Sequence, residues 1–448
     1  MTVSVKGPIS GFGSIIVNGQ RYETNGTEFR IDGRTATQSD LKVGQVVLIR
    51  AERNDDGDPV ATEVEYEELV EGPVEAIAAD GSSLTILSQT VFITEDTVFE
   101  ELELADISVD DILEVSGTFD ENGDMVASYI ERSDNRDGEY EVHGVVEGLD
   151  TNAQTFNLKG LTVGYANAAL EDFENGNELS DGDRVEVEGN SFLNDGTFVA
   201  SKVEYEGDPF IGEDGDEAEV EGIVTSFTSI TEFEVAGVPV TTTDDTTYER
   251  GRAEDIQLGT RLEVEGAFNA DGVIVAQKVK FELEANVRLT STVDAVDADA
   301  GTITVLGSTI TTDASTRYRD KDEGGNQEFG LSDIVVGDYV QVRAFRLPSD
   351  GTLLAKRVER DNDDADDGAE ARGFVDEVGD DNSLVISGVQ VVTNDQTDYE
   401  LGEQDASAAQ FFARVRAGDQ VRARGTETED GELLAEKLTL GNPESADD

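Results

Sequence analysis

The 448 residues contain no cysteine and no tryptophan, one histidine, seven prolines, nine lysines and no long apolar run. Each absence removes something. Without cysteine there are no disulfides, no thiolate metal sites and no cysteine nucleophile. No stretch of roughly 18 or more apolar residues exists to span a bilayer as a helix. With His143 alone, a facial metal site built on several imidazoles is out of reach, and Ser-His-Asp catalysis would have to use this one residue without any G-x-S-x-G elbow. A lone histidine ahead of Gly144 reads as structural. Positive charge is also scarce. Against 100 Asp and Glu stand 32 Lys and Arg, a formal net charge of −68, and 23 of the 32 are Arg. A phosphate backbone or an anionic membrane surface would be repelled, because nucleic-acid binding draws on clustered Lys and Arg. Adaptation to high salt, an affinity for divalent cations, or solubility alone would each use such a surface.

What is abundant is repetition. A D-G or N-G turn recurs at Asp56-Gly57, Asn122-Gly123, Asp195-Gly196, Asp271-Gly272, Asp350-Gly351 and Asp430-Gly431. Each is followed by an apolar residue and Ala, from Val60-Ala61 to Leu434-Ala435, and preceded by an alternating run such as Arg184 to Gly189 or Arg261 to Gly266. Two period-2 runs about a turn requiring positive φ make a β-hairpin. The first half of each unit repeats as well. A [ST]-Φ-x-Φ-x-G segment, with Φ apolar (Ser14 to Gly19, Thr155 to Gly160, Thr302 to Gly307, Ser383 to Gly388), leads to a run ending in T-x-[FY]. That ending is Thr27/Phe29, Thr97/Phe99, Thr246/Tyr248, Thr316/Tyr318 and Thr397/Tyr399, whereas the third unit places Ala168 and Leu170 there. Between the halves lies a short link with one anchoring apolar residue: Leu41, Ile107, Leu179, Ile256 or Ile334.

The spacing therefore predicts an all-β chain of six tandem five-stranded barrels over 1–68, 69–134, 139–208, 217–284, 285–361 and 369–442, joined by short links. An interruption between the third and fourth strands matches an OB-like Greek-key barrel, and a small five-stranded barrel of other topology is the competing arrangement. Acidic stretches at 133–138, 212–217 and 361–368 read as linkers, while units one and two abut near Glu68 to Gly72. The expected picture is six beads, each with its own Val and Ile interior.

Candidate sites are few. The D-G turns evoke calcium loops, but strands flank them and the ligand spacing fails, so the hairpin explanation is preferred. The acidic link Asp361, Asp363, Asp364, Asp366 and Asp367 is the better place for weakly held calcium, although a solvated charge run is the preferred explanation there; no other cofactor is expected. Phe12, Tyr248, Tyr318 and Tyr399 would stack on a sugar if exposed, although an aromatic ending an alternating strand commonly plugs a core. Glu186, Glu188, Glu263 and Glu265 read as the wet face of strands, offering no unique cleft for a glycosidase-like pair. Gly11-Phe12-Gly13 is a turn and leads into no helix, so no phosphate loop is present. The chain is not expected to be an enzyme.

The opening Gly7-Pro8-Ile9-Ser10-Gly11-Phe12-Gly13-Ser14-Ile15-Ile16-Val17-Asn18-Gly19, with the D-G turn and the V-A-x-x-V-E ending, resembles the bacterial domain of unknown function numbered 5666. The resemblance runs through the chain as repeats, though units three, four and five lack the G-P-I-S-G-F-G start. It supplies no activity and no catalytic residues. Such proteins usually carry an export or lipoprotein signal, which implies an envelope or surface location; no apolar segment of that kind follows Met1. The resulting expectation is a non-catalytic scaffold, adhesion or matrix module. Its expected partners are a surface polysaccharide, other envelope proteins or further copies of itself. A polysaccharide-binding array and a calcium-responsive assembling protein are the alternatives.

Overall fold

The computed structural model describes residues 2–53, 58–133, 138–173, 178–207, 210, 212–322, 328–362, 368–402, 404–428 and 431–441. They form an all-β chain; the one α-helix among them is Ala408–Arg414, in the link of the sixth repeat.

Repeat 2 shows how a unit is built. Its strands are Val70–Ile77, Ser83–Ile86, Gln89–Phe92, Ile112–Phe119 and Met125–Arg132, with Val98–Glu100 continuing the third after a break. The first strand pairs antiparallel with the second and fourth, the second with the third, and the fourth with the fifth. Both pieces of the third run parallel to the fifth. The order 1-2-3-5-4-1 closes the sheet as an OB-type barrel, and repeats 3 to 6 close through the same pairs. Repeat 1 carries the same order of strands, from Thr2–Gly11 to Val60–Tyr66.

The recurring motifs now have causes. In T-x-[FY], the threonine hydroxyl donates to the carbonyl of the alanine in the fifth strand: Thr27 to Ala61 at 2.7 Å, Thr97 to Ala127 at 2.8 Å, Thr246 to Ala276 at 2.7 Å, Thr316 to Ala355 at 2.9 Å and Thr397 to Ala435 at 2.7 Å. In repeats 2, 4, 5 and 6 the same oxygen accepts the backbone N–H three residues earlier, as Thr246 does from Thr243 at 2.9 Å. One side chain thus satisfies the break in strand three and fastens it to strand five. The described turns of repeats 2, 3 and 4 are three-residue hairpins with positive φ at glycine only, and that of repeat 5 has one residue more; at Gly272 (φ 76°), the N–H reaches the Asn269 carbonyl at 3.0 Å. The glycine ending the fourth strand sits at a β-bulge. A Cβ on Gly266 would lie 2.3 Å from the Val275 carbonyl oxygen, a collision with backbone. In the links, Asp40, Asp106, Asp255 and Asp333 each accept a backbone N–H three residues back, which drops Leu41, Ile107, Ile256 and Ile334 into the core.

The barrels are not separate beads. The second strand occupies only the C-terminal half of the first, so the other half keeps one open edge. In repeat 2 that edge takes the first strand of repeat 3, Val70 and Glu71 facing Val142 and Glu141. Leu289 of repeat 5 faces Ala371 of repeat 6 in the same way. Val3–Lys6 of repeat 1 pairs parallel with Glu217–Val220 of repeat 4. Edge pairing satisfies main-chain groups that would otherwise invite foreign strands. The interiors of repeats 2 and 3 form one contiguous buried set, as do those of repeats 5 and 6. The described residues divide into two compact units, 2–9 with Tyr22–Glu282 and Ser10–Arg21 with 283–441.

Candidate functional site

Edge pairing carries outward-facing residues of two barrels into rows. Across repeats 2 and 3 the register aligns Glu100, Glu131, Glu114, Glu71, Glu141 and Glu188, one per strand, with Lys202 at the end. Neighbours across strands lie about 5 Å apart, where like charges repel. Lys202 relieves one end, its ammonium 2.8 Å from Glu186, 2.6 Å from Glu188 and 2.8 Å from Glu204. At the other end Lys42 lies 3.4 Å from Glu100. Between them the face is covered by the end of repeat 1. The Tyr66 hydroxyl donates to Glu114 at 2.7 Å. The Asp32-Gly33 hairpin, with φ of 47° and 68°, delivers Asp32 beside Glu68 and Glu141.

This junction holds the only histidine. His143 is 4% exposed, bonded through Nε2 to Glu141 at 2.9 Å and through Nδ1 to Glu206. Burial pushes its pKa down, but the charges and hydrogen bonds of Glu206 and Glu141 outweigh that and hold it well above the ordinary value. Three groups have ligand atoms within 4.8 Å of one another: Glu67, His143 and Glu206; Glu141, His143 and Glu186; and Asp32, Glu68 and Glu141. Burial, helped by neighbouring carboxylates, pushes two of the carboxyls up: Glu114 to about 8 and Glu186 to about 8. Glu68 rises as well, from burial and its contact with Asp32. Chemically, such a cluster can hold protons or an oxygen-liganded cation. Nothing in it presents a nucleophile beside a base at an open cleft.

The residues singled out from sequence fall elsewhere. Asp361 pairs with Lys321 at 3.0 Å, and Asp363, Asp364, Asp366 and Asp367 lie outside the described residues. Phe12 and Tyr399 are buried, which removes their ring faces from stacking, and Tyr248 and Tyr318 are half-buried against their cores. The wet-face assignment of the alternating glutamates is corrected: Glu186 is 9% exposed and Glu263 2%. Their strands' outer faces are themselves packed. Glu263 is held by Lys280 at 2.5 Å, and that ammonium also meets Glu282 at 3.0 Å. Glu188 and Glu265 are half-buried, paired with Lys202 and Lys278. Asp32, Glu67, Glu68 and Glu141 escaped notice because pairing register, rather than local spacing, assembles them. The one signal was the Glu67-Glu68 doublet where two repeats abut. A shallow polar pocket of about 210 Å³ is lined by Lys42, Glu100, Glu101, Glu131 and Arg132. It is smaller than the roughly 300–1,000 Å³ apolar clefts that hold small molecules.

Comparison with known proteins agrees with the repeat count. The family model described as Domain of unknown function (DUF5666) matches six times, at residues 5–65, 71–131, 143–204, 221–280, 291–359 and 372–439. No curated protein matches the chain. Among solved structures, a match is the Drosophila Unr CSD456 chain, 14% identical over 49% of this chain and 96% of that one, with a TM-score of 0.12.

Proposed function

The chain belongs to the DUF5666 family, and on that premise we propose that it is a non-catalytic scaffold or adhesion module of the cell envelope or surface. The observation that carries this reading is the edge pairing of first strands. It locks barrels 2 with 3 and 5 with 6 through main-chain hydrogen bonds and shared interiors. Domains built to act singly on a small molecule keep a cavity, whereas these interiors are filled by Val, Ile and Leu. Repetition then multiplies weak surface contacts into avidity, and the acidic surface suits salt-rich surroundings. A polysaccharide-binding array has less support, because Phe12 and Tyr399 are buried.

The test is made on native cells. Surface protease should remove an epitope-tagged chain from intact cells, and deleting its gene should reduce adhesion to neighbouring cells or matrix. A tagged chain fully protected in intact cells, with adhesion unchanged on deletion, would reject the proposal.

A further inference from the structure

We infer that the junction between the last strand of repeat 1 and the paired first strands of repeats 2 and 3 is a binding site for one divalent cation of the calcium type, ligated by Asp32, Glu68 and Glu141. Oxygens from all three lie within 4.8 Å of one another. Glu68 is 3% exposed, and its Oε2 is buried without a hydrogen-bond partner; so is Oδ1 of Asp32. A buried carboxylate oxygen with no donor is costly, more so than a neutral group, because nothing replaces the water it gave up. Two facing each other beside a third carboxylate are therefore matched by a positive ligand.

The donor set selects its class. Carboxylate oxygens alone suit a hard cation rather than zinc or copper, which favour nitrogen and sulfur. Calcium accepts irregular sets of 6 to 8 oxygens at roughly 2.3–2.6 Å, with carboxylates mono- or bidentate. Magnesium demands a near-ideal octahedron and keeps several waters. A junction of three carboxylates drawn from three separate segments fits calcium better. Charge agrees in sign: a dication offsets most of the charge of three carboxylates brought this close together. The three ligands come from the Asp32-Gly33 hairpin, the Glu67-Glu68 connection and the first strand of repeat 3, so the ion would tie three segments distant in sequence.

Terbium, a calcium mimic, provides the test. The chain has no tryptophan, and Tyr66 sits two residues from Glu68 with its hydroxyl on Glu114, placing a tyrosine sensitiser beside the site. The full chain, stripped with chelator, should show tyrosine-sensitised terbium emission that saturates at one equivalent and is displaced by calcium. Glu68→Gln and Glu141→Gln should each weaken this binding at least tenfold, and Asp350→Asn, in an exposed hairpin turn, should leave it unchanged. Tyr66→Phe should cut sensitised emission while calorimetry with calcium alone still finds the site. Circular dichroism establishes that each variant is folded; if Glu68→Gln fails to fold, calcium calorimetry on the unaltered chain decides by stoichiometry. Non-saturating emission, or equal titrations for the unaltered chain and a folded Glu68→Gln variant, would overturn the site; Asp32 and Glu68 would then share a proton.

Discussion

At the scale of single residues, the protein is defined by charges placed where water is thin. A carboxyl whose folded pKa lies above its unfolded value of about 4.3 favours the protonated form. Glu114 and Glu186, near 8, therefore stabilise the fold most at acid pH, and that stability drains away as pH rises from the unfolded value through 8. His143 acts in the same direction. Its raised pKa contributes stability present below about 6.5 and lost as pH climbs through the folded value. In chelator, the melting temperature should thus fall between pH 5.5 and 8.5, and Glu114→Gln should flatten the profile by an amount on the order of 1 kcal/mol. A flat profile in the unaltered chain would contradict the burial of these groups. The Glu263–Lys280 pair makes a second prediction. Lys280→Met should cost about 3 kcal/mol or more, since it strands Glu263 in the interior, whereas Glu263→Leu with Lys280→Met should recover most of the loss. Urea unfolding of the unaltered chain and the two variants measures the difference.

At the scale of elements, the broken third strand is the weak place, and one hydroxyl repairs it. Thr246→Val keeps the shape but leaves the Ala276 carbonyl and the Thr243 N–H without their partner, a loss of about 1–3 kcal/mol. Repeat 3, with Ala168 where the others place threonine, lacks this bond. Its third-strand amides should exchange with solvent faster than those of repeats 2 and 4, which hydrogen exchange with mass spectrometry resolves; equal protection would mean the threonine is dispensable. The bulge glycines behave differently. Repeats 1 and 5 carry Ala51 and Ala344 at the same bulge, so the strand can yield to one methyl.

At the scale of the whole molecule, charge is sorted by row as well as by sign. Repeats 5 and 6 align Arg317, Arg357, Arg343, Arg288, Arg372 and Arg422 across their joined strands, the counterpart of the glutamate row in repeats 2 and 3. Glu359 and Glu370 serve this row, Arg357 reaching Glu359 at 3.2 Å and Arg422 reaching Glu370 at 2.8 Å. The remaining acid excess is mutual repulsion that salt screens over about 10 Å at 0.1 M and about 3 Å at 1 M. Raising sodium chloride from 0.1 to 2 M should therefore raise the melting temperature by several degrees. A melting temperature that falls with salt would mean that ion pairs outweigh net repulsion.

Six repeats, their strands, hairpins and anchors could be read from the residues, because each rests on contacts within about 70 positions and on backbone demands that local side chains announce: a D-G turn, a threonine three residues after the N–H it satisfies, an apolar residue every second place. The closing order of strands was one of two arrangements the spacing allowed, and pairing decided it. What the residues alone did not disclose is which half-open first strand meets which. That choice depends on shape and main-chain hydrogen bonds between segments far apart in the chain. It turned apparently solvated glutamates into a half-buried row and set Asp32, Glu68, Glu141 and the single histidine together.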